Sequence, residues 1–114
     1  MIIKGNLDLR RSSIESLGEL TEVNGKLQLE NCHQLKSLGK LKKIKKNLSL
    51  NDEIETLGDL EEVGEDLLLQ RCGNLKDLGK LKQVRILKLK NSGITKEYII
   101  KEKSFLLDKC DWTT

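Results

Sequence analysis

The sequence predicts a repeat solenoid with a parallel β-sheet on one face, short 3₁₀ or extended segments on the other, and an α-helix capping the C-terminal end. Three observations predict it. A leucine pair, L-x-L, opens at Leu7, Leu27, Leu48, Leu67 and Leu87, at intervals of 20, 21, 19 and 20 residues. After a variable loop each of the first four pairs is followed by the frame L-x-x-L-G-x-L-x-x-V or a close variant of it, as in "LKDLGKLKQV". After "NSGI" the pattern stops, and "TKEYIIKEKSFLLDKCDW" replaces it. Self-similarity at a short fixed period makes each unit one turn of a stack, because no single unit can bury its own apolar side chains.

Each element has its own cause. In L-x-L the leucines alternate with Asp8, Gln28, Ser49, Leu68 and Lys88, so one side of a short strand faces a core and the other faces water. Stacked about 4.8 Å apart, such strands make a parallel sheet. Farther along the unit, apolar residues recur at every third position, as Leu35, Leu38, Leu41 and Ile44 do. That period suits a 3₁₀-like or extended path rather than a long α-helix, and the glycine after the middle leucine lets the chain turn. At the C-terminal end Thr95 is placed to cap a helix and Glu97 to sit in its first turn, with Tyr98, Ile99, Phe105 and Leu106 forming an apolar face. Residues 1–94 are thus expected as a solenoid of about five coils, the first and last atypical, and residues 95–114 as a helical cap of the same domain. At the other end only Ile2 and Ile3 cover the first coil, an arrangement expected to leave a strand edge open for pairing.

The segments "KLQLENCHQL" and "DLLLQRCGNL" carry an L-x-L-x-x-C core. In these residues the chain resembles the leucine-rich-repeat family, in the irregular short form of bacterial and receptor-L-type repeats, over about residues 3–94. The resemblance implies a right-handed coil and the recognition of proteins. There are two departures. Val23, Ile44 and Val63 stand four residues before the next leucine, in place of the family's first leucine. The position after the strand that is often asparagine in the family is here Ser12, Cys32, Glu53, Cys72 and Ser92. The outer side of each coil is therefore left open between 3₁₀ turns and further short strands, as in a β-helix.

Composition narrows the function. Aromatic residues are confined to Tyr98, Phe105 and Trp112, so the core must be aliphatic. The net charge of +3 is too small to argue for nucleic acid or an acidic membrane. Charge also alternates by unit along the outer segment: Glu19 and Glu22, then Lys40, Lys42 and Lys43, then Asp59, Glu61 and Glu62, then Lys80 and Lys82. Stacked units should pair these charges in columns, leaving no continuous basic track for a nucleic-acid backbone to follow. No stretch approaches the roughly 18 apolar residues of a membrane span, and "MIIKGNLDLRR" holds no apolar run of the kind a signal peptide needs. With three cysteines besides, the expectation is reduced thiols and a cytoplasmic setting, with neither nucleic acid nor membrane as a partner.

"ENCHQL" places the only histidine, His33, beside Cys32. Cys72 holds the same place in the fourth unit, with Gly73 where the histidine stood, so a dyad would be broken in its second copy. Both thiols are expected inside the bend after the strand, about 10 Å apart by two strand spacings and beyond disulfide reach. A metal site needs three or four convergent ligands, and His33 has neither a second histidine nor a C-x-x-C to join. The glycines recur once per unit and serve turning rather than phosphate binding. The chain is accordingly expected to be no enzyme, with no catalytic residue, metal or cofactor.

The outward sheet face is what does not repeat. Its residues are Asp8 and Arg10; Gln28 and Glu30; Ser49 and Asn51; Asp66, Leu68 and Gln70; Ile86, Lys88 and Lys90. Leu68 occupies a slot that is polar in the other units, and with Ile86 beside it and Asp66, Gln70, Lys88 and Lys90 around it makes an apolar spot with a polar rim. The expected function is non-catalytic protein–protein recognition through this face, as a small inhibitor or adaptor such as a phage or bacterial effector acting on a host factor. The alternative is a self-assembling module, a homodimer through the N-terminal edge.

Overall fold

In the computed structural model, which describes residues 1–113, ten short strands form two parallel sheets. The chain runs through β1 (Ile2–Ile3), β2 (Leu7–Asp8), β3 (Glu22–Val23), β4 (Leu27–Gln28), β5 (Lys43–Ile44), β6 (Leu48–Ser49), β7 (Glu62–Val63), β8 (Asp66–Leu68) and β9 (Ile86–Lys88). Helix α1 (Lys96–Glu102), a 3₁₀ turn at Ser104–Lys109 and β10 (Cys110–Asp111) follow. As far as β8, consecutive strands alternate between the sheets. One sheet has the order β1-β3-β5-β7 and the other β10-β9-β8-β6-β4-β2.

The L-x-L leucines Leu7, Leu27, Leu48, Leu67 and Leu87 lie in one register row of the six-stranded sheet. The side of each unit left open between 3₁₀ and extended is extended, and Ile3, Val23, Ile44 and Val63 make a second row across the four-stranded sheet. β-Branched side chains pack well on a pleated surface, and the backbone partners of each residue lie one unit away rather than within a local turn. Between the rows the corner is made by Gly18, Gly39, Gly58 and Gly79, all at φ between +54 and +60°, where glycine alone carries no Cβ penalty. Each of these glycine N–H groups donates to the side chain two residues earlier, Ser16, Ser37, Thr56 or Asp77, at 2.8–3.0 Å.

The core fills the space between the sheets. Leu27, Leu48, Leu67 and Leu87 are buried, whereas Leu7, on the edge strand β2, is only partly so. Across the units the alternating charges meet: Lys40 with Glu19 at 2.8 Å, Lys43 with Glu62 at 3.5 Å, Lys80 with Asp59 at 3.0 Å and Lys82 with Glu61 at 3.1 Å. Solvent screens pairs of this kind, so each adds little to stability by itself. Their larger consequence is register, since a slip by one unit would set like charges against each other.

The C-terminal end differs from expectation in two respects. Thr95 does cap α1, its hydroxyl accepting the Tyr98 N–H at 3.1 Å, and Ile99 and Leu106 are buried. Phe105, however, is 56 % exposed. It lies on a 3₁₀ turn, where three residues per turn send neighbouring side chains in different directions, so Leu106 turns in and Phe105 out. The cap is also not helix alone: β10 extends the six-stranded sheet by pairing Cys110 with Leu87 and Asp111 with Lys88. Thr114, the last residue of the expected cap, lies outside the described residues. No helix among those described is long and apolar enough to cross a membrane.

Candidate recognition site

The site begins where each strand of the six-stranded sheet ends. Arg11, Asn31, Arg71 and Asn91 occupy the same step of the bend with φ between +62 and +68°. Asparagine visits this left-handed region readily, whereas a longer side chain there costs roughly 1–2 kcal/mol. The next residue in two of these units turns its thiol inward: Cys32 Sγ donates to the Leu9 carbonyl at 2.9 Å and Cys72 Sγ to the Asn51 carbonyl at 3.3 Å.

The third unit breaks the pattern. From Leu50 to Ile54 is four positions, against six from Leu29 to Leu35 and from Leu69 to Leu75. With two residues fewer, the left-handed step is gone and Asn51 takes the inward place. It is 2 % exposed; its Nδ2 donates to the carbonyls of Cys32 at 2.7 Å and Leu35 at 3.1 Å, and its Oδ1 accepts the Glu53 N–H at 2.7 Å. Two expectations are corrected here. The inward position of the third unit is Asn51 rather than Glu53, and Asn51 is therefore not part of the outward face. Glu53 instead reaches back to His33, Oε1 lying 2.8 Å from Nδ1, with the His33 side chain 65 % exposed.

The shortened bend opens a groove of about 660 Å³ between its longer neighbours. Ser49, Leu50 and Asn51 line it from the short unit, with Asp52 beside them. Glu30 and Asn31 line it from the second unit, Leu68, Gln70 and Arg71 from the fourth, and Lys90 and Asn91 from the fifth. Of the face expected from sequence, Glu30, Ser49, Leu68, Gln70 and Lys90 are gathered here, joined by Asn51 as a buried element. Asn31, Leu50, Asp52, Arg71 and Asn91 are additions, and the signal that could have found them is the four-residue spacing of the third loop.

The remaining face residues lie elsewhere. Asp8 and Arg10 line a smaller concavity of about 430 Å³ with Arg11, Glu30 and Asn31. They satisfy each other through a forked pair, Nε to Oδ1 at 2.9 Å and Nη2 to Oδ2 at 2.7 Å. Those hydrogen bonds from Arg10 hold the Asp8 carboxyl down to about 2. Asp66 is bound by Arg85 at 3.1 Å, and Lys88 reaches Asp111 at 3.2 Å. Gln28 and Ile86 are half-buried and lie outside both concavities. Ile86 also sits in register with Asp66, while the strand neighbours of Leu68 are Ser49 and Lys88. The expected side-by-side pair of Leu68 and Ile86 is thus offset by two residues, and the apolar lining of the groove is Leu68 with Leu50.

The electrostatics divide the groove. Glu30 and Asp52 lie on one side and Arg71 and Lys90 on the other. None of the four belongs to an ion pair among the described residues. Glu30 Oε1 is buried and has no hydrogen-bond partner among the described residues. The Cys72 thiol nearby is inert in character: burial first, then the charges of Asp52 and Glu53, push it up to about 12. No group of three or more His, Cys, Asp or Glu side chains among the described residues is arranged to hold a metal ion.

Compared with known proteins, the chain matches no family model, no curated protein and no solved structure. A cleft with opposite charges on its two walls and leucine between them has the makings of a recognition surface, with polar groups to fix orientation and apolar area to cover.

Proposed function

We propose that this chain is a leucine-rich-repeat-type solenoid that recognises another protein through the outward face of its six-stranded sheet, without catalysis, as a small inhibitor or adaptor. A register row of leucines, a left-handed bend that recurs in four of the five units, and the inward side chains of Cys32, Asn51 and Cys72 in the middle three support the solenoid reading. A cytoplasmic setting fits three unpaired thiols.

The observation that carries the recognition reading is the groove at the third bend. It joins side chains from four consecutive units into one concave surface, and its composition differs from unit to unit while the core beneath repeats. Affinity purification from the native cell or its host, followed by mass spectrometry, supplies the partner. Leu68→Asp then leaves the fold intact and weakens binding, because it replaces the apolar lining with a charge. Unchanged affinity for the identified partner would overturn the reading.

A second reading rests on a different observation. Strands β1 and β2 are the edges of their sheets, with Met1 61 % and Ile2 54 % exposed and Leu7, Leu9, Ile14 and Leu17 incompletely covered. Two copies joined edge to edge would cover these side chains and pair the free backbone groups. Light scattering at tens of micromolar separates the readings: a mass that doubles without a partner supports self-association, and a constant monomeric mass removes it.

A further inference from the structure

We infer that the groove of the shortened third unit accepts an extended protein segment bearing one basic and one acidic side chain about 10 Å apart, the separation of strands two places apart in the sheet. The basic side chain sits against Glu30 and Asp52, the acidic one against Arg71 and Lys90. The inference rests on the recognition reading and specifies the chemistry of its partner.

Four observations converge on it. The groove exists because the third loop is two residues shorter than those of the second and fourth units, so it is peculiar to this place in the stack. Its two walls carry opposite charges that form no ion pair among the described residues, Glu30 acting only electrostatically on Arg10, whereas Asp8 with Arg10 and Asp66 with Arg85 neutralise each other on the same face. Glu30 Oε1, on the acidic wall, is buried and has no donor of the protein's own among the described residues, so that wall's charge is not satisfied from within. Arg71 stands at φ +68°, in a step that Asn31 and Asn91 fill in the other two long bends lining the groove and that Arg11 fills outside it. A backbone that favours asparagine carries instead a guanidinium, which can grip a carboxylate with two parallel N–H donors.

The same charges select against other occupants. A nucleic-acid backbone would set phosphates against Glu30 and Asp52, and a uniformly basic or acidic segment would meet one repelling wall. In an extended chain of the polyproline II kind, with three residues per turn and about 3.1 Å of rise per residue, side chains three positions apart share one face and stand about 9 Å apart. The residues between them pass over Leu68.

The test selects phage-displayed random linear peptides on the intact protein and measures selected peptides by fluorescence anisotropy. The expected binders carry Lys or Arg three positions from Asp or Glu. Arg71→Asn and Glu30→Gln each weaken them by about tenfold or more, as loss of one partner of a close charge pair does, whereas Lys43→Gln on the other sheet has no effect. Arg71→Asn is the more informative variant. Asparagine suits the left-handed step, so its thermal midpoint should stay the same or rise while binding falls. Peptides that lack an opposite-charge pair, or that ignore both substitutions yet are lost in Leu68→Asp, overturn this inference and leave the recognition reading standing. Binding that survives all three substitutions, or a selection that yields no binder, overturns both.

Discussion

Asn51 donates its side-chain amide to the Cys32 carbonyl at 2.7 Å, so a single buried side chain ties the shortest bend to its neighbour. The same side chain also holds the Leu35 carbonyl and the Glu53 N–H. Asn51→Ala leaves these backbone groups without that partner, and a buried polar group left unsatisfied costs about 1–3 kcal/mol. The expected loss is about 2–4 kcal/mol in urea unfolding. A loss below about 1 kcal/mol would mean that water replaces the amide in the bend.

The corner glycines differ in surroundings though not in backbone. Gly18 and Gly58 share φ near +60°, but a Cβ on Gly18 would meet nothing within 4 Å, while one on Gly58 would run into the carbonyl oxygen of Gly39. Gly18→Ala should therefore cost about the left-handed penalty alone, roughly 1–2 kcal/mol. Gly58→Ala should cost clearly more, because backbone of the adjacent unit must move as well. Denaturant midpoints of the two variants check this, and equal midpoints would show that the stack yields at the corner.

These relationships mark where the sequence was readable. The row from Leu7 to Leu87 and the row from Ile3 to Val63 were visible because the core selects the same residue type at the same step of each unit. Asn51 was placed outward because strand alternation was carried one residue too far: Glu30 and Gln70 stay half-exposed at that step, but the short loop turns Asn51 in. The groove appears in the sequence only as a missing pair of residues, and its charged walls depend on which side chains that gap brings together. Strand β10 left no periodic trace, since two residues that pair one edge show no alternation. The acceptors of the corner glycine N–H groups are legible in the sequence: Ser, Ser, Thr and Asp recur two positions before the glycine.

The charge columns predict a response to acid. Hydrogen bonds from Lys40, Lys80 and Lys82 hold the carboxyls of Glu19, Asp59 and Glu61 below their ordinary values of 4.5, 3.8 and 4.5, and Arg10 holds Asp8 at about 2. Their folded values lie below the unfolded ones, so the stability they contribute is complete above the unfolded values and is lost as pH falls through the folded ones. The thermal midpoint should fall between about pH 4.5 and 2. All these groups face solvent, so high salt should flatten the fall. A midpoint that is flat across that interval at low salt would show that the columns contribute nothing to stability.

The C-terminal cap is fastened by an acceptor that its aromatic ring brings with it. Tyr98 Oη accepts the Leu78 N–H at 2.9 Å, joining α1 to the last complete corner, while Ile99 on the same helix enters the core. Tyr98→Phe keeps the ring and removes the acceptor. It should cost about 1 kcal/mol globally, the usual net worth of one hydrogen bond. The local effect should be sharper: the Leu78 amide loses its partner at a partly buried position, so its exchange with solvent deuterium should accelerate more than that of the Leu41 amide, whose acceptor is the backbone carbonyl of Leu38. Equal acceleration at both amides would mean that the cap and the second unit open together, and the tyrosine would then be acting on the whole stack rather than on its end.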